Sequence, residues 1–327
     1  MITDGGAQTG LGHVQQSITL AHELRDKANV TFITKSGLIV SQKISDSGFD
    51  VTTLASDEEI FRKLEHTLPD VIIFDKIDVD ENFARRIRIQ LPSKLIIFTN
   101  LTPANKFAHA AITADIGSNF ENIRFTDDET GTQYLYGPKY WVLRREFNEL
   151  KNKPRIRSDA VNNILLIFGG SDPANLTVQT LKQLTKITTP FTINVIVGAN
   201  YCHDADLHAF LQSITSNQNN INIFRNIPNV AELMHEADLT IASPGLSAFE
   251  ALKVGSPLIV VPQDMLQRDT YKGYICMLEI PELNKIGEII TLRQFTFPNQ
   301  KNIMKMEIGE GIQELKDLIL LQDGGRT

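Results

Sequence analysis

Residues 237–269 read ADLTIASPGLSAFEALKVGSPLIVVPQDMLQRD, and this stretch decides the fold of the second half of the chain. An apolar run ends at Ala242, a Ser-Pro-Gly turn follows, and a helical stretch then carries Glu250. Gly255 is placed to end that helix, and a second apolar run begins after the next proline. A strand, a helix and another strand in this order predict a β-α-β unit with parallel strands.

The rest of the chain repeats this alternation. Nearly continuous apolar runs are typical of parallel strands that are covered on both faces. We predict strands at Val30–Thr34, Val71–Asp75, Leu95–Thr99, Ile164–Phe168, Ile193–Val197, Ile221–Phe224, Leu239–Ala242 and Leu258–Val261. We predict helices at His13–Lys27, Asp57–His66, Leu176–Lys186, Val230–His235 and Leu246–Val254. The fold class is therefore α/β with right-handed crossovers.

One polar, charged segment interrupts the pattern. Residues Asn148–Val161 (NELKNKPRIRSDAV) contain Pro154 and are typical of an interdomain linker. We predict two Rossmann-like domains that face a cleft, residues 1–150 and 160–300, and a helix in 301–327 that packs back on the first domain. Residues 1–3 leave room only for a stunted first strand, unless the natural chain begins earlier.

The composition excludes several classes of protein. The chain has 327 residues and a net charge of −7, whereas nucleic-acid binders usually carry a basic surplus. Its two cysteines, Cys202 and Cys276, lack the spacing of a zinc site or a disulfide framework. We find neither a signal-sequence pattern nor an apolar run long enough to span a membrane. We therefore expect a cytoplasmic protein without nucleic-acid partners, integral membrane association or a metal site.

The first glycine-rich turn is TDGGAQTGLGH, residues 3–13. Glycines allow positive φ angles and close approach of a ligand, and the helix that follows offers unpaired N–H groups at its N-terminus. His13 opens this helix, and a neutral imidazole can accept a proton near pH 7. His13 is therefore a candidate general base, and the alternative is a capping or loop histidine.

The second glycine-rich turn is FGGSDPANLT, residues 168–177. It places the backbone of Gly170 and Ser171 at the carboxyl end of a strand, where α/β proteins bind their ligands. The alternative is an ordinary, well-capped loop between a strand and a helix.

The opening stretch also contains candidate binding residues. A carboxylate on a short helix, such as Glu250, can accept hydrogen bonds from both hydroxyls of a ribose. Gly245 lets the backbone approach a diphosphate, and Gln267 is placed to reach a sugar or a phosphate. The alternative for Glu250 is an ordinary solvated helix glutamate.

Together these motifs resemble a known family. Residues 237–269 look like the C-terminal donor-binding domain of family 28 glycosyltransferases. With GLGH at 10–13, FGGSD at 168–172 and YGPKYWVLRREF at 136–147, the chain is similar to the UDP-2,4-diacetamido-2,4,6-trideoxy-β-L-altropyranose hydrolases of pseudaminic acid biosynthesis and to the related spore-coat polysaccharide proteins. The resemblance covers about residues 3–280 and implies the two-domain GT-B fold.

The resemblance implies a UDP-sugar as substrate, no cofactor and no metal. In this interpretation His13 activates a water molecule that attacks the anomeric carbon, and UDP leaves. In the first domain, the resemblance implies that Gly10 and Gly12 shape the turn around the base and that Asp75 lies on the substrate side. In the second domain, it implies that Ile227 contacts the uracil and that Glu250 binds the ribose. It also implies that Gln267 contacts the sugar or a phosphate, and that three residues lie near the diphosphate: Ser243, Gly245 and Leu246.

Three positions depart from the hydrolase pattern, and all of them lie in the first domain. Gln16 stands in place of a basic residue, Asp75-Lys76-Ile77-Asp78 lacks an expected tyrosine, and Thr99–Thr102 replaces an acidic pair. The donor side of the cleft therefore matches the pattern better than the acceptor side.

Three functions are compatible with these residues. The first is hydrolysis of a UDP-sugar in nonulosonic acid or surface polysaccharide biosynthesis. The second is a UDP-sugar-dependent glycosyltransferase with an unknown acceptor, because water and an acceptor hydroxyl can share one base. The third is a non-catalytic sensor of a nucleotide sugar, against which the retention of His13 argues. A dinucleotide-dependent oxidoreductase is disfavoured, because no GxGxxG precedes an acidic residue at the required distance.

Overall fold

The computed structural model describes residues 1–6, 10–114, 121–155, 160–214, 220–225, 227, 229–271, 276–295 and 305–321. Within these residues the chain forms two β-sheets flanked by helices. The prediction of an α/β protein with two Rossmann-like sheets is confirmed. No helix in this described part is long and apolar enough to cross a membrane.

The first sheet is parallel except at one edge. Its strands are β1 (Ile2–Thr3), β2 (Thr31–Thr34), β3 (Asp50–Thr53), β4 (Val71–Asp75), β5 (Lys94–Phe98), β6 (Ala110–Thr113), β7 (Ile123–Thr126) and β8 (Gln133–Tyr136). Their order is β3-β2-β1-β4-β5-β6-β8-β7, and β7 pairs antiparallel with β8. The two-residue strand β1 lies between β2 and β4 near the middle of the sheet.

The second sheet is parallel throughout its described strands. It contains β9 (Asn163–Ile167), β10 (Thr192–Val197), β11 (Asn220–Arg225), β12 (Leu239–Ala242) and β13 (Leu258–Val260), in the order β11-β10-β9-β12-β13. Alternate residues of β9 enter different cores, Ile164 and Leu166 on one face and Leu165 and Ile167 on the other. Burial on both faces explains the uninterrupted apolar run, because neither face meets water.

The helices of the first half are α1 (Gly12–Leu24), α2 (Leu38–Asp46), α3 (Asp57–Thr67), α4 (Glu81–Gln90) and α5 (Arg145–Leu150). Those of the second half are α6 (Leu176–Leu184), α7 (Asp204–Ser213), α8 (Val230–Glu236), α9 (Leu246–Lys253), α10 (Met265–Tyr271), α11 (Ile286–Thr291) and α12 (Ile312–Leu320).

The predicted strands agree with the observed ones to within one residue at each end. The helix predicted to reach Lys27 instead ends at Leu24, because the residues that follow are exposed and bury no apolar group. The predicted linker is also shorter than expected: α5 extends to Leu150, and residues 156–159 lie outside the described residues. The antiparallel β7–β8 hairpin is an element that the sequence patterns do not predict.

The segment after the second sheet contacts both halves of the chain. Leu315, Leu318 and Ile319 of α12 are buried in one cluster with Leu20 of α1 and Ile96 of β5. Just before α12, the Nζ atom of Lys253 in α9 donates a hydrogen bond to the carbonyl oxygen of Ile308. The end of the described chain therefore joins the core of the first sheet to a helix of the second. Residues 301–304, where the predicted C-terminal helix was to begin, lie outside the described residues.

Candidate active site

The two sheets share one order of strands, and that order fixes where a ligand can bind. In each sheet the order in which strands are added reverses at a central strand. This switch falls between β1 and β4 in the first sheet and between β9 and β12 in the second. Ligands of open α/β sheets bind at such switch points, outside the carboxyl ends of the strands. The two switch points approach each other here, because a Cβ atom added to Gly170 would lie 3.2 Å from the side chain of Leu11.

His13 and Asp75 meet at the first switch point. Asp75 is the last residue of β4, and its Oδ1 atom lies 2.9 Å from Nδ1 of His13 in the first turn of α1. The Asp75 side chain is 4% exposed and that of His13 is 20% exposed. A carboxylate can only accept, so Nδ1 donates in this hydrogen bond, and in the neutral form of the ring Nε2 then carries the lone pair. Such an arrangement can orient an imidazole as a general base.

The sequence alone did not reveal this role of Asp75. The resemblance places Asp75 on the substrate side of the first domain. The structure shows that its carboxylate is hydrogen-bonded to the imidazole of His13. Sixty-two positions separate the two residues along the chain. The available signal was an aspartate at the end of a buried strand, because the carboxyl end of β4 lies beside the end of β1.

The turn before His13 depends on its glycines. The backbones of Gly6 and Gly10 exchange two hydrogen bonds of 2.9 Å, and Gly10 has a φ angle of +71°. Gly12 is the first residue of α1, and a Cβ atom added there would meet none of the described residues within 4 Å. Residues 7–9 of the predicted motif lie outside the described residues. The turn places His13 at the carboxyl edge of the first sheet.

The second glycine-rich turn follows β9. Gly169 has a φ angle of +77°, and Ser171 is buried. Asp172 caps α6, because its carboxylate accepts hydrogen bonds from the backbone N–H groups of Leu176 at 2.8 Å and Thr177 at 2.9 Å. Burial raises the pKa of Asp172, and these donors oppose the rise. A well-capped loop, which was the alternative to a binding role, is therefore present at the carboxyl end of the strand.

Gly198, which follows β10, packs directly against this turn. A Cβ atom at Gly198 would lie 2.4 Å from the carbonyl oxygen of Gly170 and 2.5 Å from its Cα atom. We expect Gly198→Ala to displace the turn and to lower the free energy of unfolding by about 1–3 kcal/mol, because both clashing atoms belong to the backbone. Chemical denaturation measures the loss. Gly37→Ala is the control, since nothing lies within 4 Å of a Cβ atom there; equal losses in the two variants would contradict the packing argument.

Gln263 joins three loops of the second sheet, a role that no sequence motif indicates. Its Nε2 atom donates to the carbonyl oxygen of Phe168 at 3.1 Å and to Oγ of Ser243 at 2.8 Å. Its backbone N–H donates to Oε1 of Gln267 at 2.9 Å. The predicted binding residues Ser243 and Gln267 are therefore held together after β12 and β13, with the Gln267 amide oxygen bound to the loop.

The turn between β12 and α9 requires glycine. Gly245 has a φ angle of +119°, which residues with a side chain rarely adopt. A Cβ atom added there would have no neighbour within 4 Å among the residues that the structure describes. Leu246, the first residue of α9, is partly buried. The open space in front of Gly245 leaves room for a ligand at the start of α9.

Glu250 is not a solvated helix residue. It is 2% exposed, and its two carboxylate oxygens accept hydrogen bonds from Nε and Nη2 of Arg144 at 3.1 Å and 3.3 Å. Burial raises the pKa of the Glu250 carboxyl, and the Arg144 guanidinium opposes that rise. Burial and the charge of Arg144 also lower the pKa of Lys43 on α2. A second cation, contributed by α2, therefore lies within electrostatic reach of the Arg144–Glu250 pair.

Ile227 lies after β11 and packs against the core cluster that includes α8 and α9. Its neighbours at 226 and 228 lie outside the described residues. The first-domain positions that depart from the hydrolase pattern are bonded internally: Lys76 pairs with Asp4 at 3.2 Å and Asp78 at 3.1 Å, and Asn100 accepts a hydrogen bond from the backbone of Val79.

The backbone from β9 to α10 carries all of these second-sheet residues. Residues 164–271 match the glycosyltransferase family 28 C-terminal domain. The family 28 domain thus contains Gly170, Gly245, Glu250 and Gln267, while His13 and Asp75 lie in the first sheet.

Three relatives are similar over most of the chain. An uncharacterized protein of Methanocaldococcus jannaschii is 40% identical over 294 residues, which cover 88% of this chain but only 60% of that longer protein. The spore coat polysaccharide biosynthesis protein SpsG of Bacillus subtilis is 24% identical, with 84% of this chain and 80% of SpsG covered. The UDP-2,4-diacetamido-2,4,6-trideoxy-β-L-altropyranose hydrolase of Campylobacter jejuni is 22% identical, with 76% of this chain and 86% of the hydrolase covered.

Solved structures share the whole fold. MurG of Acinetobacter baumannii superposes with a TM-score of 0.64 at 16% identity, and the match covers 98% of both chains. HepE of Anabaena in complex with UDP-glucose superposes with a TM-score of 0.54 at 14% identity, and the match covers 98% of this chain and 94% of HepE. The fold is therefore GT-B, as the resemblance implied.

Proposed function

We propose that the protein hydrolyses a UDP-sugar, releasing UDP by attack of a base-activated water on the anomeric carbon. The observation that carries the proposal is the His13–Asp75 pair at the switch point that faces the family 28 domain. A sensor would need no oriented base beside its donor site. The similarity to the Campylobacter jejuni hydrolase supports a diacetamido-trideoxy sugar as the substrate, and the similarity to SpsG supports a role in polysaccharide biosynthesis. We propose that this role is in pseudaminic-type or surface polysaccharide biosynthesis.

The nucleotide would lie against the family 28 domain. We infer that the uracil contacts Ile227 and that the diphosphate meets the backbone at Gly170, Ser171 and Gly245. The start of α9 lies at the carboxyl edge of the second sheet, and helix N-termini favour negative charge. The HepE complex with UDP-glucose supports a uridine nucleotide as the ligand of this fold. Gln267 would turn from its bond with Gln263 to the sugar or the phosphates.

Glu250 would bind the ribose only after a change of partner. Both of its oxygens are engaged by Arg144, so two ribose hydroxyls would have to displace the guanidinium. The released Arg144 would then be available to the diphosphate. This exchange keeps both oxygens of the buried Glu250 carboxylate hydrogen-bonded in both states, which limits the cost of separating it from Arg144.

The reaction is a single displacement with a general base. His13 Nε2 accepts a proton from water as the oxygen forms its bond to the anomeric carbon. The bond from that carbon to the β-phosphate oxygen breaks, and its electron pair leaves with UDP. Asp75 stabilises the imidazolium that forms. The N–H groups at the start of α9 and the released Arg144 stabilise the charge that grows on the diphosphate.

The second candidate is a UDP-sugar-dependent glycosyltransferase of unknown acceptor. The match to the glycosyltransferase family 28 C-terminal domain favours it, because the same base and donor site serve an acceptor hydroxyl as well as water. The internally bonded residues Lys76 and Asn100 would then border an acceptor subsite that differs from that of the hydrolases.

A panel of UDP-sugars that includes diacetamido-trideoxy sugars tests the proposal without any added acceptor. We expect UDP release from one of them, measured by a coupled assay, and protection against thermal unfolding by UDP itself. Release only after an acceptor is added would favour the glycosyltransferase. Absence of both release and UDP protection would contradict the donor site itself.

A further inference from the structure

The carboxylate that orients His13 is itself held by two donors from the next turn of α1. Oδ2 of Asp75 accepts a hydrogen bond from Nε2 of Gln16 at 3.1 Å and one from Oγ of Ser17 at 3.1 Å. Gln16 is 3% exposed and Ser17 is 2% exposed. Residues three and four positions after His13 lie on the same face of the helix. Helix α1 therefore supplies His13 and also the two side chains that donate to Asp75.

The Gln16 amide is oriented at a cost. Its Oε1 atom is buried and accepts no hydrogen bond from the described residues. Rotation of the amide would bring Oε1 against Oδ2 of Asp75, where two acceptors repel each other. A buried acceptor without a donor destabilises the folded state, and an apolar side chain of similar size would avoid that cost. The amide therefore contributes little net stability, because its unpaired oxygen offsets the bonds that Nε2 donates to Asp75 at 3.1 Å and to Oγ1 of Thr99 at 3.4 Å.

We propose that Gln16 is a positioning residue for the base, acting with Ser17 through Asp75. The two donors fix Oδ2, so that Oδ1 faces Nδ1 of His13 and the imidazole keeps its proton on Nδ1. This inference rests on the proposed function, since it assigns Gln16 a role in the same proton transfer. It also gives a role to a position at which the chain departs from the hydrolase pattern.

Gln16→Leu tests the role, and Gln15→Leu is the matched control on the adjacent, partly exposed position of α1. With the sugar that wild-type protein hydrolyses, we expect kcat to fall on the order of 10- to 100-fold in Gln16→Leu, because a misoriented base reacts slowly. KM should change less than about twofold, and the unfolding midpoint should change little, because removal of the unpaired Oε1 offsets the loss of the bonds that Nε2 donates to Asp75 and Thr99. Ser17→Ala should lower kcat in the same direction.

A purely structural Gln16 gives the opposite pattern: a lower unfolding midpoint and an unchanged kcat. Nitrogen NMR of the His13 side chain provides a readout that does not depend on activity. We expect the wild-type ring to hold its proton on Nδ1 and the Gln16→Leu ring to exchange between tautomers. An unchanged tautomer in Gln16→Leu would overturn the inference, even if no UDP-sugar were hydrolysed and the proposed function failed.

Discussion

Replacing His13 with asparagine lowers the rate of UDP release by about 10²- to 10⁴-fold, which is the range that a positioned general base contributes. The reason is that asparagine can keep a hydrogen bond to Asp75 but has no group that accepts a proton near neutral pH. UDP binding should be unchanged, because the predicted nucleotide contacts lie in the family 28 domain. Steady-state UDP release and the shift of the unfolding midpoint by UDP measure the two effects.

His22→Asn is the matched control, because His22 lies on the same helix near its other end and is exposed. We expect this variant to retain the wild-type rate. Asp75→Asn should fall between the two, since an amide can present its N–H to the ring and favour the wrong tautomer. A His13→Asn variant that keeps a tenth or more of the wild-type rate would exclude His13 as the base.

Much of the fold follows from the local sequence. Strands such as Val71–Asp75 are covered on both faces, so their apolar runs are continuous and their ends fall at the first polar residue. The β7–β8 hairpin could not be predicted in the same way. The four residues of β7 are exposed and its Phe125 stacks on Tyr134 at 5.1 Å, so no buried face imposes a pattern on the strand.

The site was predictable where one residue suffices for a role. Gly245 stands in a short turn between a strand and a helix, where a positive φ angle is expected. His13 directly follows a glycine-rich turn. Roles that need two distant residues were not visible. Arg144 precedes Glu250 by 106 positions, and only the folded chain shows that this glutamate is buried and paired. Gln263 likewise acts through loops that are remote in sequence.

Replacing Arg144 with methionine should lower the free energy of unfolding by about 3–5 kcal/mol, because it leaves the buried Glu250 carboxylate without its partner. Methionine has a side chain of similar width without the guanidinium, which also lies 4.9 Å from the centre of the Phe147 ring, so the loss reports mainly on that charged group. Chemical denaturation measures it. Arg145→Met is the adjacent control: that side chain is 84% exposed and pairs with Glu149 across one helical turn, so we expect a change within about 0.5 kcal/mol.

The pH dependence and a double variant separate the ion pair from the binding role. Burial raises the pKa of Glu250, and loss of Arg144 removes the group that opposes that rise. A carboxyl group whose folded pKa exceeds its unfolded value loses its contribution to stability as pH rises through the folded pKa, so the deficit of Arg144→Met should be larger at about pH 8 than at about pH 5.

Arg144→Met combined with Glu250→Met should recover most of the stability, because neither charge is then buried. If Glu250 binds the ribose, this stable double variant will still fail to bind UDP; retention of UDP binding would leave the pair as a purely structural contact between the segment before α5 and α9.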